Sequence, residues 1–315
     1  MVDLLLVVGG LAALVAGAEL MVGAGTRLAL WLGVRPILIG LTVVSIGTSV
    51  PELAIGIGAA LGGSPSLAVG NIAGTNLVNI LAILGLSALI RPVAFDRRTL
   101  RFELPVMTVA ALAFYLLALD GRLGLLDGLL LLFIGVIYTW LVVRLARREE
   151  PSEPDPAPGP VRHRPVRDAL VLLAGMAVIV VGAELLVRGA ARGAAALGVS
   201  EAVIGLTVVA IGTSAPELVT TVVSTLRGNR DIAIGNLLGS SIYNIALVLG
   251  ATVVVAPGGV PVAEELLVAD LVLLVATAVM AVPVFVSGSR VSRVEGGLFL
   301  AAYAGYLVWL LATRV

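Results

Sequence analysis

Long apolar runs broken by short polar stretches fill this chain. A helix needs about 20 apolar residues to cross the hydrocarbon core of a bilayer. On that measure the pattern predicts ten spans, at 3–31, 36–61, 67–90, 101–119, 124–145, 166–195, 201–226, 231–254, 264–286 and 295–312. No span alternates apolar and polar positions as a β-barrel strand does, so the expected fold class is an all-α membrane protein. Many spans carry Gly, Ser and Thr, the residues that let membrane helices pack closely. One segment departs from the pattern. Residues 146–165, ARREEPSEPDPAPGPVRHRP, are rich in proline and charge and read as a solvated linker. They divide the chain into 1–145 and 166–315, with five spans in each part.

Composition sharpens this reading. Apolar residues make up 59% of the chain, charged residues 13%, and the mean hydropathy is +1.12. Too few polar side chains remain to cover a water-facing surface, since soluble chains are roughly a quarter charged. A soluble enzyme, a disordered chain and a nucleic-acid binder are excluded. The expected surroundings are membrane lipid, with the chain a monomer. Basic and acidic residues balance at 20 each, so no polyanionic partner is implied. There is no Cys, and the one His, His163, falls in the linker. Thiol chemistry and a His-centred triad or metal site are therefore not expected. The first span lacks a basic leader and reads as retained rather than cleaved.

Arginine placement predicts the orientation. With the N-terminus outside, sixteen arginines fall on the cytoplasmic side, among them Arg27, Arg35, Arg91, Arg227 and Arg290. Four, Arg122, Arg188, Arg192 and Arg314, fall on the other side. The linker is then cytoplasmic and both termini lie outside, in what reads as a prokaryotic plasma membrane.

The two halves repeat one another. Residues 40–53 read GLTVVSIGTSVPEL and residues 205–218 read GLTVVAIGTSAPEL, an offset of 165 from Gly40 to Gly205. The same offset aligns Gly70-Asn71-Ile72-Ala73-Gly74-Thr75 with Gly235-Asn236-Leu237-Leu238-Gly239-Ser240. It also aligns Asn79 with Asn244, Gly85 with Gly250, and Glu19 with Glu184. Five spans is an odd number, so equivalent spans cross in opposite directions. This is an inverted-topology repeat, an architecture of secondary transporters whose sites form at matched helix interruptions near the midplane. Pro51 and Pro216 are such interruptions.

Glu52 and Glu217 follow these prolines in mid-span. A carboxylate there costs a few kcal/mol and marks an ion pathway unless a cationic side chain accompanies it; neither span offers an Arg nearby. Proline lacks the N–H that would bond four residues back, which frees a carbonyl at Gly47 or Thr48, and at Gly212 or Thr213. Thr48 shares a helix face with Glu52, and Thr213 with Glu217; Ser45 and Ser49 lie close to the first of these faces. Oxygen-only ligands suit Na⁺ or Ca²⁺ and poorly suit soft metals. The third span of each half adds a polar stripe, Asn71, Thr75 and Asn79 in one and Asn236, Ser240 and Asn244 in the other. Thr75, Asn79, Ser240 and Asn244 are read as ion contacts. For Asn71 and Asn236, ion contact and helix–helix hydrogen bonding stay equally open. Glu184, with Arg188 one turn on, reads as a structural ion pair, and Glu19 also as structural. Asp96, Asp120, Asp127 and Asp231 fall at span ends and read as solvated caps.

The duplicated GTSVPEL and GTSAPEL, with GNIAGTNLVN and GNLLGSSIYN, resemble the alpha repeats of the cation/calcium exchanger superfamily, and most closely its prokaryotic sodium/calcium exchanger homologues. The resemblance runs through nearly the whole chain. It implies a core of spans 2, 3, 7 and 8 across which spans 1 and 6 slide. It also implies cation ligands at Glu52 and Glu217, at Thr48, Ser49, Thr213 and Ser214, at the carbonyl of Ala210, and at Thr75, Asn79 and Ser240. The implied activity is secondary antiport of Na⁺ against Ca²⁺, with these ions as cargo and no cofactor. One position departs: Asn244 stands where the studied exchangers carry Asp. Two carboxylates balance one Ca²⁺ but leave less charge for several Na⁺. An H⁺-coupled exchanger and a cation channel stay open as alternatives.

Overall fold

The computed structural model describes residues 2–62, 66–97, 99–146, 164–198, 210–286 and 288–314. It is almost entirely helical. The helices are α1 (Val2–Leu32), α2 (Pro36–Leu61), α3 (Ser66–Ile90), α4 (Thr99–Ala118), α5 (Leu125–Ala146) and α6 (Pro165–Ala196). Then come α7, described over Ala210–Thr213 and Ala215–Leu226, α8 (Arg230–Val255), α9 (Leu266–Val286) and α10 (Arg293–Arg314). Among the described residues nine helices are long and apolar enough to cross a membrane. α7 is the remaining one, because residues 199–209 lie outside the described set, as do His163 and most of the expected linker. The protein is an integral membrane protein. Where both are described, expected and observed boundaries differ by a few residues at most.

The ends of these helices follow from local chemistry. α1 and α6 stop at Gly33 and Gly198, whose φ angles of +67° and +82° suit glycine. Pro36 and Pro165 open α2 and α6 in the first turn, where proline's missing N–H costs nothing. Ser292 and Glu295 cap α10 reciprocally: Glu295 Oε2 accepts from the Ser292 N–H at 2.7 Å, and Ser292 Oγ from the Glu295 N–H at 3.3 Å. Of the expected acidic caps, Asp127 accepts from the Gly124 N–H and Asp120 from the Arg122 N–H. Asp96 and Asp231 do more than cap, since both pair with Arg35, at 2.6 and 3.4 Å.

Close glycine contacts follow the two-fold relation of the halves. α1 and α6 cross at two points. A Cβ on Gly10 would lie 2.7 Å from the Gly182 carbonyl oxygen, and one on Gly17 would lie 2.8 Å from that of Gly175. The repeat equates Gly10 with Gly175 and Gly17 with Gly182, so each contact is the image of the other. Gly85 of α3 meets Gly296 of α10, and Gly250 of α8 meets Gly128 of α5, in the same related way. Two short antiparallel ladders complete the pattern. β1 (Val93–Ala94) pairs with β4 (Arg290–Val291), and β2 (Arg122–Leu123) with β3 (Val260–Pro261). Each joins one half to the other.

α2, α3, α7 and α8 form the buried centre, and α4, α5, α9 and α10 turn large apolar side chains such as Phe133 and Met280 outward. Among the described residues five π-helical turns interrupt the helices, at Gly40–Val44, Val78–Ile83, Thr99–Glu103, Asn244–Leu249 and Leu266–Asp270. Such turns concentrate at functional positions. Those of α3 and α8 take in Asn79 and Asn244.

Candidate cation site

The two broken helices place the site. α2 breaks at Ser49 (φ −82°, ψ 5°) and α7 at Ser214 (φ −82°, ψ 2°), one residue before each Val50-Pro51 or Ala215-Pro216 pair. Each break is followed within a turn by a glutamate. Glu52 and Glu217 are both fully buried. Neither Oε atom of Glu52 has a hydrogen-bond partner. Glu217 accepts one long bond, from Ser49 Oγ of the other half at 3.5 Å, on Oε1, and none on Oε2. Among the described residues the ion pairs of the molecule are Arg27–Asp168, Arg35 with Asp96 and Asp231, Arg188–Glu184 and Arg227–Glu19. None involves Glu52 or Glu217.

Hydroxyls of Thr48, Ser49 and Ser240 stand near the Glu217 carboxylate. Thr48 Oγ1 lies 3.1 Å from Asn236 Oδ1, 3.2 Å from Ser240 Oγ and 3.2 Å from the Ser45 carbonyl. With one proton it donates to one acceptor at a time, and its lone pairs stay available. Thr75, Asn79 and Asn244 are buried, and the Thr75 hydroxyl and both amide atoms of each Asn have no partner. Thr213 and Ser214 are buried at the α7 break. Of Ala210 only the helical backbone at the start of α7 is described.

The structure separates the two residues that the sequence leaves open. Asn236 spends its amide on the protein: Nδ2 donates to Thr221 Oγ1 at 3.0 Å and to the Glu217 carbonyl at 3.3 Å, and Oδ1 faces Thr48. It holds α7 and α2 against α8. Asn71 is half-buried with its Nδ2 unpartnered. Ser45 is engaged by the scaffold: its Oγ donates to the Gly40 carbonyl at 2.6 Å, with the Gly235 and Asn236 carbonyls as alternative acceptors at 3.1 and 3.2 Å. A Cβ on Gly235 would lie 2.8 Å from the Ile37 carbonyl oxygen, so that glycine sets the close α2–α8 approach.

Some features escape the sequence reading. Glu19 is structural as expected, but its partner is Arg227 at the end of α7, at 2.7 Å. A cleft of about 390 Å³ between α1, α3 and α7 is lined by this pair with Leu86, Leu218 and Val222. A third repeated acidic position, Glu103 and Asp270, is buried at the end of matched π turns, where Tyr306 donates to Asp270 at 2.5 Å. Thr220, Thr221 and Ser224 extend the polar face of Glu217 along α7. Their spacing of three, four and seven residues from Glu217 is the signal that could have found them.

Comparison with known proteins identifies the family and the fold. The sodium/calcium exchanger protein family matches residues 2–144 and 168–312. The inner membrane protein YrbG of Escherichia coli is 39% identical, with 80% of each chain covered. The sodium/calcium exchanger MaX1 of Methanosarcina acetivorans is 30% identical, with 98% of each covered. The solved sodium/calcium exchanger from Methanococcus jannaschii superposes with a TM-score of 0.84 at 30% identity, covering 98% of both chains. The fold is thus that of a helical exchanger with ten spans in two inverted repeats, and the chain belongs to the sodium/calcium exchanger protein family.

Proposed function

We propose that this protein is a secondary antiporter, not an enzyme, that exchanges Na⁺ for Ca²⁺ by alternating access. One observation carries the reading. Two fully buried carboxylates, from two oppositely directed helix breaks, lie close enough to interact, and among the described residues neither pairs with a cationic side chain. A buried charge without a partner is costly, and a cation bound between the two removes that cost. Two ionised glutamates balance one Ca²⁺. The remaining ligands are hard oxygens, from Thr48, Ser49, Thr213, Ser214, Thr75, Asn79, Ser240 and Asn244 and from the Ala210 carbonyl, as Ca²⁺ and Na⁺ require. The likeness to the sodium/calcium exchanger MaX1 and to that of Methanococcus jannaschii supports the choice of ions.

α1 and α6 approach closely through paired glycines and share a buried apolar cluster, which suits a pair that moves as one body over the core. The arginine bias puts both termini outside and the linker in the cytoplasm of a prokaryotic cell, with the monomer as the working unit and 1–145 and 166–315 as its two repeats. Proton coupling is the second reading, because Glu52, which accepts no hydrogen bond, is as able to take a proton as a metal ion. The test is ⁴⁵Ca²⁺ uptake into proteoliposomes of purified protein, with an outward Na⁺ gradient or an outward H⁺ gradient. Uptake driven by Na⁺ alone is expected. Uptake driven only by H⁺ moves the protein to the proton-coupled reading, and uptake with neither overturns both.

A further inference from the structure

Helical hydroxyls in this protein have a settled habit. Thr26, Thr42, Thr139, Thr225, Ser241 and Thr252 each donate to the carbonyl four residues back, at 2.6–2.9 Å. That is the expected way to satisfy a hydroxyl where no water competes. Thr220 and Ser224 of α7 break the habit. Both are completely buried, and neither hydroxyl has a partner. Their neighbour Thr225 makes the back-bond at 2.8 Å, and Thr221 accepts from Asn236 at 3.0 Å. Helix geometry is therefore no obstacle to satisfying them. The Thr75 hydroxyl of α3 is likewise buried and unpartnered.

The position of the two hydroxyls gives them a direction. They stand three and seven residues after Glu217 on its own face of the helix, between the candidate site and the Arg227 end of α7. Ser87, eight residues beyond Asn79 on α3, is also buried and unpartnered. α3 ends on the same side as α7, since a Cβ on Gly228 would sit 3.5 Å from Arg91 Nη1. On α2 the repeat puts Ile55 and Ala59 where α7 has Thr220 and Ser224. The route away from the glutamates is therefore polar along one broken helix and apolar along its twin.

Resting on the antiport reading of the site, we propose that Thr220 and Ser224 line the cation's route between Glu217 and the Arg227 end of α7, replacing water oxygens around a partly dehydrated Na⁺ or Ca²⁺. The two halves then differ in function: one exit is lined by hydroxyls on its broken helix, and the other is not.

The absence of cysteine from the chain allows a direct test. Ser224→Cys, Thr220→Cys and, for contrast, Ala59→Cys are placed singly in the full protein in proteoliposomes. A membrane-impermeant cationic methanethiosulfonate is then applied from each face. Modification of Ser224→Cys from the Arg227 face only, slowed several-fold by saturating Ca²⁺, is expected. Resistance from both faces, with and without Na⁺ and Ca²⁺, while Arg227→Cys is modified, overturns the route. Thr220→Val supplies a second readout should the cysteine variants fold poorly. Loss of an unpartnered hydroxyl leaves the melting temperature unchanged or raised, while exchange slows roughly tenfold. A lowered melting temperature with an unchanged exchange rate makes the hydroxyl structural and overturns the proposal. The outcomes separate from those of the antiport reading. One-sided labelling without any Ca²⁺ uptake by the unmodified protein keeps the route and sinks the exchange, and Ca²⁺ exchange without labelling or slowing does the reverse.

Discussion

Arg227 Nη2 donates to Glu19 Oε1 at 2.7 Å and ties the middle of α1 to the end of α7. The side chains are 60% and 48% exposed, so the pair adds little to stability; exposed pairs contribute from nothing to about 1 kcal/mol. Its value is positional, because it bridges α1 and the core at the mouth of a cleft. Glu19→Gln should leave the melting temperature within a degree or two. Joining Glu19→Cys to Arg227→Cys with a short, reducible bis-methanethiosulfonate should stop exchange, and reduction should restore it. Unimpeded exchange in the joined protein would show that α1 need not part from α7.

The glycine crossing of α1 and α6 is a packing claim with a steep expected cost. A Cβ on Gly17 would sit 2.8 Å from the Gly175 carbonyl and from Ile179 Cγ1. Backbone cannot yield as a flexible side chain does, and overpacking of this kind costs about 1–3 kcal/mol or more. Gly17→Leu and Gly175→Leu should both lower the melting temperature in detergent by several degrees, and by similar amounts because the contact is shared. Gly9→Leu, where a Cβ meets nothing within 4 Å, serves as the control and should melt with the parent protein.

Asn244 is fully buried with both amide atoms unpartnered, and it lies in the π turn that opens at its own position. On the proposed site, Asn244→Asp adds a third carboxylate beside two glutamates that, among the described residues, pair with no cationic side chain. We expect tighter Ca²⁺ binding, by roughly tenfold at the scale of a charge-assisted contact, and a steeper dependence of exchange on Na⁺. Isothermal titration and the Na⁺ Hill slope read the two effects. Unchanged affinity would place the side chain away from the ion.

Asp96 gives a pH prediction outside the membrane. Burial pushes its pKa up. The Thr99 N–H, donating at 2.7 Å, and the Arg35 guanidinium outweigh that and hold the carboxyl below its usual range. A group whose folded pKa is depressed stabilises the fold above its unfolded pKa, and that contribution is lost as pH falls through the folded value. Asp96→Asn should therefore lower the melting temperature at pH 7, while the parent and the variant converge below about pH 3. A constant gap between the two melting curves across that range would count against the linkage.

Much of this molecule is legible in its sequence because bilayer physics leaves few choices. Ten apolar runs become helices, and an offset of 165 between Gly40 and Gly205 fixes the inverted repeat. The two glutamates beside Pro51 and Pro216 are recognisable because nothing apolar explains them. What stays hidden depends on register and on distant partners. The π turns at Asn79 and Asn244 add a residue to helices that the four-residue stripe treats as regular. Arg227 reaches Glu19 across the fold, which spacing along the chain cannot show. Asn236 and Asn71 look alike in the repeat. Only the hydrogen bonds to Thr221 and the Glu217 carbonyl show that Asn236 is committed to the scaffold.

The central claim is that Glu52 and Glu217 hold the exchanged cation together. It is tested most directly by Na⁺-driven ⁴⁵Ca²⁺ uptake into proteoliposomes of the parent protein, Glu52→Gln and Glu217→Gln, each first shown to be folded by its melting curve. Uptake by the parent and its loss in both variants, with melting temperatures kept or raised because a buried unpaired charge is gone, is the predicted result. Preserved uptake in both variants would contradict the account.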